Sequence, residues 1–140
     1  MKLVEIQQHL ASLQIFDRVE AVMSEEEINK QLIRKPVAYI APAGTGAQQN
    51  ERSMGQALQL LNETYSVIYC IPSLNDKTGM KGAEKLQEII TTTRRELISF
   101  APENAELMTF EGGQLMVIGG GFILWHDQFS TQYHLEGNKI

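Results

Sequence analysis

The strongest constraint on this chain is a two-residue alternation near its C-terminal end. From Phe122 to Leu135 one face reads Ile123, Trp125, Asp127, Phe129, Thr131, Tyr133 and Leu135. The other face reads Phe122, Leu124, His126, Gln128, Ser130, Gln132 and His134, and is wholly polar from position 126 onward. A period of two means β-strand, and a polar face means that one side meets solvent or a polar partner. The strand is also long for its host. A compact domain of 140 residues has a diameter of about 37 Å, whereas the 14 residues of this run, fully extended, span about 46 Å. The strand must bend at a bulge, be interrupted, or project. A projecting strand leaves backbone groups free to pair with a neighbouring subunit.

The rest of the chain supplies what such a strand packs against. Leu3, Ile6, Leu10 and Leu13 predict an amphipathic helix over 2–13. Arg18 to Met23 reads as a short strand. Ser24 and Glu27 form a capping box that opens a second helix, which Pro36 ends. Val37 to Ala41 reads as a strand, and Pro42 to Ser53 as a polar loop. Gln56 to Ile71 reads as one long strand, although Met54, Leu58 and Leu61 would also suit a helix. A second polar loop covers 73–81. Leu86, Ile89, Ile90, Thr93 and Leu97 then mark a helix over 82–99, closed off by Pro102. Gly112-Gly113, between Leu107–Glu111 and Gln114–Ile118, signals a hairpin, so the chain ends in a three-strand meander. The expected class is α+β, with helices packed on a largely antiparallel or mixed sheet in a single domain over residues 1–140.

Charge narrows the function. Seventeen acidic residues against 12 basic give a net charge of −5, which argues against specific nucleic-acid binding. Cys70 is the one cysteine, so no internal disulfide or cysteine-based zinc site is available, and its apolar strand makes it a buried thiol. The N-terminus is charged too early for a signal peptide, and no apolar run reaches the ~20 residues of a membrane span. These features fit a soluble intracellular domain.

Motifs for catalysis are thin. Gly44-Thr45-Gly46 follows a strand, but Gln49 stands where the dinucleotide fingerprint needs its third glycine. Gly119-Gly120-Gly121 precedes a strand, so it reads as a turn or bulge. His126 and His134 share a strand face about 26 Å apart, too far to hold one metal, and the histidines read as surface residues. Asp127 interrupts an aromatic face, as an edge carboxylate bonded to backbone or as an interface residue. Trp125, Phe129 and Tyr133 read as core. No catalytic residue, cofactor or metal site is expected.

The second half carries a resemblance. Asp76 is followed by a helix ending Glu96-Leu97-Ile98-Ser99-Phe100-Ala101-Pro102, then Phe110-Glu111-Gly112-Gly113-Gln114-Leu115, then a strand with Trp125 and Phe129. Together with the Arg34-Lys35-Pro36 entry into a strand, this resembles the tail terminators of long-tailed bacteriophages, in the branch found in Mu-like phages and prophages. Ser99-Phe100 stands where that branch commonly has Gly-Trp. The resemblance implies a tail-terminator-like fold and a structural assembly protein without catalysis or cofactor. Such proteins form a six-fold ring on the head-proximal end of the tail tube, halt its polymerisation and present a surface to the head-joining proteins. The implied partners are further copies of the chain, the tail tube protein and a head-completion or neck protein, in the host cytoplasm during assembly and then in the virion tail. An acidic lumen would let DNA slide without sticking. On this reading Gln48, Asn50, Arg52, Asp76 and Lys77 in the two loops, with His126, Gln128 and Gln132 on the last strand, are the interface residues. The alternatives are another tail or neck component of the same fold, or a small ligand-binding domain or enzyme.

Overall fold

The computed structural model describes residues 2–23, 34–48, 55–73 and 80–137. The elements run α1 (Lys2–Ser12), β1 (Arg18–Ala21), β2 (Val37–Ala47), β3 (Leu58–Pro72), α2 (Met80–Ile98), β4 (Thr109–Gly119) and β5 (Phe122–Glu136). Five strands form one sheet in the order β1-β2-β3-β5-β4. β1 and β2 are parallel and every other pair is antiparallel, so the sheet is mixed and the α+β expectation holds. The expected helix over 24–36 falls almost wholly outside the described residues.

The alternating strand is neither interrupted nor bulged. All 15 residues of β5 pair with all 15 of β3, from Leu58↔Glu136 to Pro72↔Phe122, without a register shift. The helix alternative at Leu58 and Leu61 is thereby excluded, because those positions pair with Glu136 and Tyr133. The length problem is solved by a partner of equal length. The end of β5 beyond Ser130 extends past β4 and keeps its ladder to β3. The irregularities sit instead in the flanking strands, between Pro42 and Gly44 in β2 and at two places in β4.

Two expectations about turns are corrected. The polar loop expected from Pro42 is strand over its first six residues, because Pro42 to Ala47 continue β2 against Tyr65 to Leu61. Gly and Pro disfavour strand, but a long neighbouring strand supplies the backbone hydrogen bonds, and tertiary context wins. Gly44-Thr45-Gly46 is therefore strand and not a phosphate loop. The hairpin turn is not at Gly112-Gly113. β4 runs through both glycines, merging two expected strands into one, and turns at Gly120-Gly121. Their φ values of 64° and 85° are the two positive angles that a two-residue type I′ turn requires.

α1 and α2 pack on one face of the sheet. Leu3, Ile6 and Leu10 of α1 and Leu86, Ile89, Ile90 and Leu97 of α2 join Val67, Tyr69, Ile71, Ile123 and Phe129 in the main core. The helical period of three to four and the strand period of two thus meet on this face. His9, expected at the surface, is half-buried and stacks on Phe100 with ring centroids 4.2 Å apart. A second cluster on the opposite face holds Val37, Tyr39, Ile68, Cys70 and Leu124. Cys70 is fully buried there, as its sequence context predicts.

Phe129 is 0% exposed and sits between the helices and the sheet. Phe129→Ala is expected to cost about 3–5 kcal/mol in urea denaturation, by lost burial and a residual cavity. A loss under about 1 kcal/mol would show that this core is not close-packed.

Candidate functional site

β5 and β3 place the even-numbered residues of β5 on the face away from α1 and α2. That face has an apolar half, the second cluster, and a polar half built from Ser66, His126, Gln128, Ser130, Gln132 and Asn62. His126 Nε2 lies 2.9 Å from Ser66 Oγ, and Ser130 Oγ donates to Glu111. His126 and Gln128 line an open depression of about 300 Å³ with Gly112, Gly113 and Gln114. Gln132 lines another, of about 250 Å³, with Gln48, Leu60 and Asn62. Gln48 extends β2's ladder by donating its backbone N–H to Leu60 O at 3.0 Å.

Of the eight expected interface residues, the structure therefore places four on this polar face in two groups: His126 with Gln128, and Gln48 with Gln132. Asn50, Arg52, Asp76 and Lys77 lie outside the described residues. Among the described residues no group of three His, Cys, Asp or Glu could hold a metal ion.

Asp127 is neither an edge carboxylate bonded to backbone nor an exposed interface group. It is fully buried, and its partners are side chains. Arg94 of α2 grips it with both arms, Nε to Oδ2 and Nη2 to Oδ1, each at 2.8 Å. Tyr69 OH donates to Oδ2 at 2.9 Å and Trp125 Nε1 to Oδ1 at 2.8 Å. The guanidinium carbon also sits 4.2 Å from the centre of the Phe110 ring. A charge buried this deeply is tolerable only when paired and fully hydrogen-bonded, and here both oxygens have two donors. The hydrogen bond to Asp127 raises the Arg94 pKa, and burial followed by the Asp127 charge pushes that of Tyr69 well above its ordinary value.

The Gly-Gly pair of β4 now has a different meaning. Gly113 pairs with Asp127 across the ladder. A Cβ at Gly113 would stand 2.1 Å from Asp127 Oδ1 and 2.9 Å from both Arg94 Nη2 and Trp125 Nε1. The glycine is required for space and not for a turn. Nothing in the local sequence signals this, because Arg94 and Asp127 are 33 residues apart and meet only through packing.

A second carboxylate organises the far end of the sheet. Glu63 accepts hydrogen bonds from Tyr65 OH and, at 2.6 Å, from Tyr133 OH. Lys2 Nζ lies 4.0 Å from the centre of the Tyr133 ring. Burial and then the bond to Glu63 push the Tyr65 pKa up, and the bond to Glu63 raises that of Tyr133 to about 12.

The model of the family described as phage tail terminator protein matches residues 3–139. The chain belongs to the phage tail terminator family. No curated protein matches the chain. The family is one of structural phage tail proteins, so the chain is a structural component of tail assembly, and the polar sheet face is to be read in those terms. No described helix is long and apolar enough to cross a membrane.

Two outcomes test this geometry. Gly113→Ala is expected to destabilise the protein by about 2–3 kcal/mol, by forcing a methyl against the carboxylate, and Asp127→Asn by about 3 kcal/mol, by leaving Arg94 without its counter-charge. Urea midpoints near wild type for both would overturn the account. Stability should also fall in alkali. Tyr69, Tyr65 and Tyr133 all have folded-state pKa values above the unfolded value of about 10. Their contribution is complete below pH 10 and is lost as pH rises through about 12 for Tyr133. The urea midpoint should decline above pH 10, and less steeply in Tyr133→Phe; a flat or rising midpoint would contradict the tyrosine–carboxylate bonds.

Proposed function

We propose that this chain closes the head-proximal end of a tail tube as a homo-oligomeric, six-fold ring. In that position it stops tube polymerisation and presents a surface to the head-completion protein. The family match over residues 3–139 is the observation that carries this reading. The polar half of the sheet face supports it. Half-buried His126, Gln128 and Gln132 border shallow, open depressions, a relief suited to a broad protein partner with many hydrogen bonds. The net charge of −5 suits a passage for DNA, because like charge repels phosphate.

In this reading the polar face meets the tube or the head-completion protein, and Asn50, Arg52, Asp76 and Lys77, outside the described residues, extend the contact. Ring subunits associate through unlike patches, since a cyclic assembly larger than a dimer needs a heterologous interface.

The test is complementation of a phage or prophage lacking the gene. Without the protein, tails should be overlong and headless in electron micrographs. The triple variant Gln48→Ala, Gln128→Ala, Gln132→Ala should fold, with an unchanged circular dichroism spectrum, yet reduce completed particles at least tenfold. Tails of normal length joined to heads in the null strain would refute the terminating role. Full rescue by the triple variant would move the contact surface elsewhere.

A further inference from the structure

The sheet has two outer edges, one shared by β1 and the end of β2 and the other formed by β4, and an ion pair guards only the β1 part. β1 is four residues long and carries the Arg18–Glu20 ion pair, a common device against edge pairing. β1 covers β2 only from Val37 to Ile40, and Val22 N–H bonds to Ile40 O at its end. Beyond that point Ala41, Pro42 and Gly44 to Ala47 pair with β3 on one side, with a register shift between Pro42 and Gly44, and no described strand lies on the other. Residues 42–47 are exposed, and the stretch 41–47 holds no ionisable residue. At the opposite side of the sheet β4 pairs with β5 alone over 11 residues, with Glu111 its single charge. It presents Leu115, Val117 and Ile118 at 46%, 40% and 63% exposure. Large apolar side chains on an edge with a single charge mark a place where another strand adds, although register shifts at Phe110/Gly112 and Leu115/Val117 limit the regular pairing surface.

We infer that β4 of one copy pairs with the stretch Ala41–Ala47 of β2 in the next copy, which no described strand covers, so that the sheets run on from subunit to subunit. This deepens the ring proposed above and rests on it. Strand direction fits. In the order β2-β3-β5-β4 each step is antiparallel, so β2 and β4 point in opposite senses. A neighbour carried round an axis roughly along the strands therefore meets β4 with an antiparallel β2. The two edges are unlike, as a heterologous ring contact demands. Neither brings like charges face to face, which would oppose pairing. Size explains why the contact suits a ring. Seven residues a side fall well short of the 20–30 a side of a stable two-body interface, so one seam alone is weak. In a closed ring each copy makes two seams and none is left open.

Disulfide trapping reads this directly. Thr45→Cys is combined in turn with Leu115→Cys, Val117→Cys and Ile118→Cys, and each double variant is oxidised both as concentrated protein and in purified tails. At least one pair should give a ladder of covalent multimers that ends at the ring, while Thr45→Cys alone gives none. Separately, Val117→Lys with Ile118→Lys should weaken self-association at least tenfold in sedimentation, with an unchanged circular dichroism spectrum. Absence of cross-links in both preparations for all three pairs would overturn the seam. So would efficient dimers from Val117→Cys alone, which would mean β4 pairs with β4. The mass of the protein in purified tails separates the two claims. Six copies without cross-links leave the ring standing and remove this seam, whereas one copy removes the ring and the seam together.

Discussion

The β3–β5 ladder is the element on which the other parts depend. Its 15 consecutive pairs bring Tyr69 opposite Trp125, Tyr65 opposite Phe129 and Asn62 opposite Gln132. A shift of one residue would turn every side chain to the wrong face, sending Phe129 and Ile123 to the polar side and His126 and Gln128 into the helix-facing core. Register is therefore held by the burial of one face against α1 and α2 and by the apolar half of the other. The remaining strands add to this ladder. β2 lies on β3 and β4 on β5, and their bulges absorb the mismatch between the long central pair and the shorter flanks.

Period carried most of what the sequence disclosed. The helices at Leu3–Leu10 and Leu86–Leu97, the strand from Phe122 and the strand ending at Ile71 were all readable, because burial on one face imposes a period that local composition cannot hide. The misread segments share one cause. Pro42 to Ala47 and Gly112-Gly113 look like turn by composition, yet each lies in a strand whose pairing partner is distant in sequence. Propensity is local, whereas the hydrogen bonds that stabilise these segments come from β3 and β5.

The polar face was legible in the same way, from the run of His126, Gln128, Ser130 and Gln132. That Gln48 and Gln132 border one depression was not, since it needs the order β2-β3-β5. The role of Asp127 was hidden for a related reason. An acid among Trp125 and Phe129 is explicable only by a cation from another element. Arg94 follows the buried Thr93 on α2 and gives no periodic sign of its target.

The Arg94–Asp127 pair also connects the interior to the edge. Replacing such a pair with well-packed apolar side chains is often neutral or stabilising, so stability alone gives weak reason for its presence. Its geometry gives a stronger one. Arg94 ties α2 to β5 through Asp127, stacks on Phe110 of β4, and lies where any side chain at Gly113 would collide. Helix, penultimate strand and edge strand are thereby locked in one arrangement by directional bonds, which dispersion contacts between apolar groups would specify less sharply. The consequence falls on β4. An edge strand that offers apolar side chains to a neighbour is useful only when it is held in one register, and a loosely held one invites indiscriminate pairing. The buried charge pair therefore serves the outer surface as much as the core, since it fixes the strand on which a specific subunit contact would be built.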